Sequence, residues 1–378
     1  MLNQKAGWSV SLLILALTFA STTRAANPLP LPSFNIIAHR GASGLAPEET
    51  RPSYMLARDL GADYLEMDLH RTQDGAIILN HDNDLLRTTD AAAKFPGRAS
   101  YLIKDWILAD IQKLDLGKKF NASTPAFARA GFVAGDDPNE PADKAKVLAP
   151  RILTLEQLIE IAEEPGTNRP GLYIEFKSPD LYPGIEAQVI AILRAHGWLA
   201  ASPNQPLPEQ SALGNPEVTV GQTRQRLVFQ SFDTNCLKRL SSSALGLRPE
   251  VPLVLLTDTN KFPDGKDAIQ EAIAVGATGI GPIATLFGLN LVKLGLFVNR
   301  AHAQNLFVHP YYFDPALQMR LFKGLDDKTQ WFNHHRDTMK MADGFFTNRA
   351  DIALEQIRGK SGMTDKAKKM LTDYGYAL

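Results

Sequence analysis

Four short stretches of the chain concentrate ionisable side chains: His39-Arg40, then Glu66 and Asp68 within DYLEMDLH at 63–70, then His81-Asp82, then Glu175 and Lys177 within YIEFK. In DYLEMDLH the residues alternate, Leu65, Met67 and Leu69 on one side and Tyr64, Glu66, Asp68 and His70 on the other. Glu175 and Lys177 likewise alternate with Ile174 and Phe176. A β-strand turns successive side chains to opposite faces, so the charged groups of each stretch share one face. Three carboxylates brought close together repel unless a cation lies between them. Oxygen-only ligation suits a hard ion, Ca²⁺ or Mg²⁺, whereas zinc prefers His and Cys. Taken singly these features are ordinary: Glu-x-Asp on a strand is usually a solvated edge, His-Asp is common surface or capping chemistry, and Lys177 could simply pair with Glu175. Bland readings explain poorly their joint occurrence at four successive strand ends. His70, farther along the same face, is read as an ordinary edge residue.

The elements that must position these groups follow from the hydrophobic pattern. Short apolar and β-branched runs alternate with helical patterns: NIIAHR then RPSYMLARDLG, GLYIEFK then GIEAQVIAILRAHG, RLVFQSF then TNCLKRLSSSALG, and GFFTN then DIALEQIRG. Repeated strand-then-helix units imply a parallel sheet with helices outside. Parallel strands are expected at 35–39, 64–69, 171–177, 226–231, 252–257, 277–281, 306–309 and 344–347, and eight of them suggest an α/β fold, the TIM (β/α)8 barrel. A further strand at 76–82 follows 64–72 after Gln73-Asp74-Gly75, too short for a crossover helix, so this pair is expected to be an antiparallel hairpin. Folding back about Asp74 brings His81 level with Met67 and Asp68. Barrel enzymes take their chemistry from the C-terminal ends of strands. If the apolar side packs on the helices, three carboxylates converge on the barrel mouth with a histidine beside them.

The chain opens with Lys5, an apolar run from Trp8 to Ala20, and then small and polar residues through Thr23-Arg24-Ala25. That order is a secretory signal peptide over residues 1–25, cut near Ala25, too short for a transmembrane anchor. An exported, periplasmic or secreted protein without a stable membrane anchor is expected, with residues 26–378 forming one domain. Removing 1–25 takes away Lys5 and Arg24 and no acidic group, which makes the formal charge of −1 two charges more negative. Such a balance speaks against nucleic acid as a partner. Cys236, the single cysteine, cannot form an internal disulfide and reads as a buried small hydrophobe in a helix. Residues 83–150 break the strand-helix rhythm and are read as an insertion on the face that carries the chemistry, while the Pro-rich 201–223 is read as a surface excursion.

IIAHRGASGLAPEET, GADYLEMDLHRTQDGAIILNHD and YIEFK resemble, in order and spacing, the glycerophosphodiester phosphodiesterase family. The long insertion, GIGP at 279–282, VHPY at 308–311 and the signal peptide are more like its periplasmic, GlpQ-type branch. One departure stands out: the family often has Pro-Glu-Asn-Thr where this chain has Pro47-Glu48-Glu49-Thr50. The resemblance implies a TIM barrel and metal-dependent hydrolysis of deacylated phospholipids to sn-glycerol 3-phosphate and an alcohol. It also implies that His39 and His81 are the catalytic pair and that Glu66, Asp68 and Glu175 hold one divalent cation, Ca²⁺ favoured over Mg²⁺. Arg40 and Lys177 would then stand near the phosphate of a small-molecule glycerophosphodiester. Two histidines can serve as base and acid at neutral pH. The rival expectations are a phospholipase D-like or phosphatidylinositol-specific lipase on the same barrel, and an exported binding protein that keeps the pocket without turnover. Gln230 and His309, at later strand ends, are open between reaching the substrate and packing in the core. Headgroup preference is expected to lie in the 83–150 insertion.

Overall fold

A computed structural model describes residues 34–129, 150–165, 169–199, 226–247, 251–259, 261, 266–287, 291–313, 341–359, 365, 368 and 369. The expected signal peptide, the 201–223 excursion and residues 130–149 of the insertion lie outside the described residues.

Among the described residues nine strands form one sheet: β1 Asn35–Ala38, β2 Tyr64–Arg71, β3 Ile77–Leu79, β4 Gly171–Phe176, β5 Leu227–Ser231, β6 Leu253–Thr257, β7 Gly279–Pro282, β8 Phe307–Val308 and β9 Gly344–Thr347. Eight of them run parallel in the order β8-β7-β6-β5-β4-β2-β1-β9, and β3 pairs with β2 off this path. Each parallel strand expected from the hydrophobic runs is present. β8 is the shortest, and the gap between it and β9 is bridged by both the backbone and the side chain of Asp343 and by backbone bonds farther along. Asp343 donates its N–H to the Val308 carbonyl at 3.0 Å and accepts the Val308 N–H on Oδ2 at 2.7 Å. Farther along, Phe346 N–H donates to Pro310 O at 3.1 Å and Phe313 N–H to Phe346 O at 2.8 Å. The result is a nearly closed TIM barrel.

The period-two alternation sorts residues between two packing layers. Leu65, Met67, Leu69, Leu172, Ile174, Phe176, Leu227 and Phe229 join the large core between sheet and helices. Ile37, Tyr64, Tyr173, Val228, Val254 and Phe346 fill the barrel interior. The charged face of DYLEMDLH is therefore the inner face, and Glu66 and Asp68 sit in sequence above Tyr64, as Glu175 sits above Tyr173. Register brings them side by side: Asp68 is opposite Glu175 across β2 and β4, and Glu175 is opposite Gln230 across β4 and β5.

The hairpin also has the expected register. Leu69 pairs with Leu79 and Arg71 with Ile77, and Asn80 N–H donates to Asp68 O at 3.0 Å, which sets His81 opposite Met67. Gly75 turns the chain at φ +91° and donates to Thr72 O at 3.1 Å, a conformation that costs a glycine little. The crossover to β4 is the helix Leu155–Glu163. It is opened by a capping box in which Thr154 Oγ1 accepts from Gln157 N–H and Gln157 Oε1 accepts from Thr154 N–H.

The described part of the insertion, read from sequence as a break in the strand-helix rhythm, builds a small core of its own. Trp106 is fully buried with Leu85, Ile103, Ile111 and Leu114 against Ile78 of β3, and Arg98 lies 3.8 Å over its ring. Helical turns at Ala91–Lys94, Ile103–Asp105, Leu108–Ile111 and Gly117–Ser123, each too short to show a helical period in sequence, alternate here with loops; Ile103 and Ile111 lie on the turns, Leu85, Trp106 and Leu114 in the loops. Cys236 is buried in the helix Thr234–Ser241, as expected for a small hydrophobe.

Candidate active site

The strand ends converge on a cleft of about 260 Å³ at the C-terminal mouth of the barrel. His39, Arg40, Glu66, His81, Glu175, Lys177 and Gln230 all line it, with Phe232, Tyr311 and Tyr312 as its aromatic wall. Six of the seven site residues expected from sequence, all but Asp68, therefore meet at one place, and Asp68 lies buried beside Arg40, Glu175 and Lys177 at 1 % exposure.

β1 runs directly into a tight turn. Arg40 has φ +56° and Glu49 φ +60°, left-handed conformations that non-glycine residues adopt rarely and that concentrate where a backbone is held by its surroundings. Gly41, at φ +77°, lets the turn approach the helix Arg51–Leu60, because a Cβ there would stand 2.4 Å from Ser53 Oγ. The turn aims the Arg40 N–H at Glu66 Oε2, 2.7 Å away. It also leaves the His39 ring stacked on Tyr312, with 4.6 Å between centroids. Asn348, just past β9, meets His39 Nδ1 with its Oδ1 at 2.7 Å. An amide oxygen only accepts, so Nδ1 carries the proton and Nε2 keeps its lone pair. Burial, with the Arg40 charge adding to it, pushes the His39 pKa down to about 3.

His81 is anchored in a parallel way. Its Nδ1 lies 2.6 Å from Asp82 Oδ1, and Asp82 Oδ2 accepts from Arg87 Nε at 2.6 Å. Arg87 also reaches both oxygens of Glu48, at 2.7 and 3.0 Å, and Glu48 Oε1 meets Arg40 Nη1 at 3.1 Å. Burial opposes ionisation of Glu48, yet Arg40 and Arg87 outweigh it and hold its pKa at about 2. Burial and Arg40 push the His81 pKa down, against the pull of Asp68 and Asp82.

The three carboxylates each offer an oxygen within 4.8 Å of the others, and all three are buried. Glu66 Oε1 receives Gln230 Nε2 at 3.3 Å. Asp68 stands 3.3 Å from Arg40 Nε and 3.6 Å from Lys177 Nζ, and Lys177 lies 2.9 Å from Glu175 Oε1. These are attractions of charge without hydrogen-bond alignment: both Asp68 oxygens, Glu175 Oε1 and Gln230 Oε1 are buried and accept no hydrogen bond. Burial and the neighbouring Asp68 push Glu175 up to about 8 and Glu66 well above the usual carboxylate range. Asp68 goes the other way, because Lys177 and Arg40 overcome its burial. Converging oxygens that lack donors and resist ionisation together are the donor set of a hard cation.

Several participants were not singled out in sequence. Asn348 follows a strand end and could have been found by the same strand-end filter that found His39. Arg87 and Glu48 lie in loops with no period to mark them. Glu49 replaces the residue most often seen at its place in the motif. It is buried, and its Oε1 accepts the Asp68 N–H at 3.1 Å. Tyr54 Oη lies 2.6 Å from Glu49 Oε2 and 3.1 Å from the Glu66 carbonyl, two acceptors for one hydroxyl proton if Glu49 is ionised. Burial, with Asp68 and Glu66 nearby, pushes Glu49 well above the usual range, and a protonated Glu49 completes the chain by donating to Tyr54. His70 is no edge residue: it is fully buried, with Nδ1 3.1 Å from Tyr182 Oη, because the segment after β4 covers it. Of the two later residues left open, Gln230 lines the cleft, whereas His309 lies below it, buried against Tyr173 Oη at 3.1 Å.

Comparison with known proteins gives a consistent picture. The family model described as the glycerophosphoryl diester phosphodiesterase family matches residues 39–349. A glycerophosphodiester phosphodiesterase of Bacillus subtilis is 32% identical over 305 residues, covering 80% of this chain and 84% of that protein. One from Haemophilus influenzae is 31% identical over 362 residues, covering 86% and 90%. Among solved structures, an Oleispira antarctica phosphodiesterase in complex with the product sn-glycerol-3-phosphate superposes with a TM-score of 0.54 at 22% identity, covering 87% of this chain and 97% of that one.

Proposed function

The chain belongs to the glycerophosphoryl diester phosphodiesterase family, and from that premise we propose that its barrel mouth hydrolyses glycerophosphodiesters to sn-glycerol 3-phosphate and an alcohol, with His39 and His81 moving the protons. The observation that carries this assignment is the pair of imidazoles in one cleft, each held at Nδ1 by a different partner, with two of the three converging carboxylates lining the same cleft.

His39, buried, neutral and offering Nε2, is suited to accept the proton of the attacking hydroxyl. His81, one-third exposed and backed by the Asp82 carboxylate, is suited to deliver a proton to the departing alkoxide. A carboxylate at Nδ1 stabilises the imidazolium that an acid must be, whereas the neutral amide at His39 does so less. Arg40 and Lys177 face the cleft and offset the charge that gathers on the phosphoryl oxygens. Glu66, Asp68 and Glu175 would hold one divalent cation, which when bound supplies Lewis-acid charge towards the phosphoryl group. Three carboxylates and the unsatisfied Gln230 amide oxygen favour Ca²⁺, which takes more protein oxygens than Mg²⁺. Export to the periplasm is proposed as well; its support is the apolar run from Trp8 to Ala20 followed by Thr23-Arg24-Ala25, and cell fractionation with N-terminal sequencing tests it.

The deciding experiment couples glycerol 3-phosphate release from glycerophosphocholine to a dehydrogenase, with and without chelator. Activity is expected to vanish with chelator and return with Ca²⁺. His39→Ala and His81→Ala are each expected to lower turnover by roughly 10²–10⁴ with the fold intact. Near-normal turnover in folded His81→Ala overturns its role as acid.

A further inference from the structure

A second cavity, of about 560 Å³, lies on the far side of the Glu48–Arg87 pair from the cleft and is floored by the helix Gly117–Ser123 of the insertion. Glu48 and Arg87 line this cavity, while their partners Arg40 and His81 line the cleft. Arg40 Nη1 and Arg87 Nη2 both contact Glu48 Oε1, at 3.1 and 2.7 Å, so the two guanidinium groups lie within about 6 Å of each other. Asp82 bridges the proposed acid, His81, to Arg87, so the wall shared with the second cavity is also the side on which a proton is delivered to the leaving alcohol.

We propose that this cavity binds the alcohol half of the diester and selects neutral polyhydroxy headgroups, such as glycerol or inositol, over choline. This inference rests on the hydrolysis proposed above and names the substrate class of the same site. The lining is the argument. Ser43 donates its hydroxyl proton to His39 O at 2.7 Å, Thr88 to Asn80 Oδ1 at 3.3 Å, and Ser123 to Phe120 O at 3.2 Å. Each oxygen keeps lone pairs that can accept from an incoming hydroxyl. Arg87 and Lys119 supply N–H donors for the oxygens of the same headgroup. A polyol offers both donors and acceptors, and the lining answers both. A trimethylammonium group offers neither. It gains from aromatic faces and free carboxylates; Phe120 is the one aromatic side chain that lines this cavity, two cations line it as well, and the Glu48 carboxylate is already shared by two guanidinium groups.

The test compares kcat/KM for glycerophosphoinositol, glycerophosphoglycerol, glycerophosphocholine and the methyl diester of glycerol 3-phosphate, whose headgroup is too short to enter the cavity. Using the whole chain loaded with Ca²⁺, the two polyol diesters are expected to exceed the choline diester at least about tenfold, the worth of one or two charge-assisted hydrogen bonds. In Lys119→Glu, which exchanges a cation for a carboxylate at an exposed position, the inositol-to-choline ratio is expected to fall by about tenfold or more. Hydrolysis of the methyl diester with an inositol-to-choline ratio near one, or a ratio that Lys119→Glu leaves unmoved, overturns the subsite and leaves the reaction standing. Failure of the wild type to cleave any of the four overturns the reaction itself and the subsite with it.

Discussion

Replacing Asn348 by Asp tests how His39 is set to act. In the native chain the amide oxygen accepts from Nδ1 at 2.7 Å, while burial and the Arg40 charge push the imidazole pKa down to about 3. Aspartate has nearly the same shape and accepts the same bond, but adds a negative charge at hydrogen-bond distance. An opposite charge that close raises a pKa by roughly one to three pH units, each worth about 1.4 kcal/mol in favour of imidazolium. A base must be neutral to accept a proton, so the acid limb of kcat/KM against pH follows this group and moves upward in the variant. A limb centred near about pH 5 leaves the variant at roughly half of its own plateau there, where the wild type has lost little. Asn348→Ala is the control: it removes a neutral bond and adds no charge, so its plateau falls by roughly two- to tenfold and its limb does not rise. Initial rates of glycerol 3-phosphate release across a constant-ionic-strength pH series read both effects, and thermal melts confirm that each variant is folded. An acid limb in folded Asn348→Asp that coincides with the wild type refutes the role of His39 as the base.

The second anchor gives a matching expectation: Asp82→Asn removes the charge that favours imidazolium at His81, and single-turnover rates are expected to fall about 100-fold with substrate affinity largely kept. Asp68→Asn deletes one of the converging charges, and calorimetry is expected to show Ca²⁺ binding weakened at least about tenfold; unchanged affinity would remove Asp68 from the donor set. His309 provides a stability test outside the chemistry. Burial holds its pKa at about 4, below the ordinary 6.5, so the unfolded chain binds the proton first and stability is full above about pH 6.5 and lost as pH falls towards about 4. Urea unfolding of wild type and His309→Gln should differ by about 2 kcal/mol in their loss between pH 7 and 5, the wild type losing more; equal losses would count against a neutral buried His309.

How far the chain could be read in advance depended on whether a residue took part in a period. Glu66, Asp68 and Glu175 were legible because two-residue alternation assigns faces, and Leu65, Met67 and Ile174 across from them fixed which face was the helical one. The hairpin was legible because Asp74-Gly75 fits a two-strand turn and counting back from it sets His81 against Met67. Asn348 was within reach of the strand-end filter, but its pairing with His39, 309 positions away, was not. Arg87 and Glu48 lie in loops, where single charges are common and mostly solvated. The core around Trp106 was missed for a related reason: the helical turns around it are three to seven residues long, below the length at which a 3.6-residue period can be told from chance. His70 was misjudged because alternation tells which way a side chain points, not what later segment of chain lies over it.

The charges at the mouth explain why these residues come as a set. Glu66, Asp68 and Glu175 bring three negative charges when ionised, and Arg40 and Lys177 answer two of them. Glu49, kept protonated by burial and its neighbours, adds none. Arg87 faces the site only through Glu48 and Asp82, and that group of three is anionic by one charge. An anionic diester approaching the arrangement with all three carboxylates ionised would be repelled, and the repulsion is least screened where the groups are most buried. Glu66, Asp68 and Glu175 would hold one divalent cation, whose two charges would turn the mouth attractive to the diester, and cation and diester together would leave the cleft close to neutrality. Two separate observations therefore have one cause. Glu66 and Glu175 resist ionisation as they stand, and Asp68 and Gln230 hold buried oxygens without donors, because the site is balanced for a cation and a substrate together.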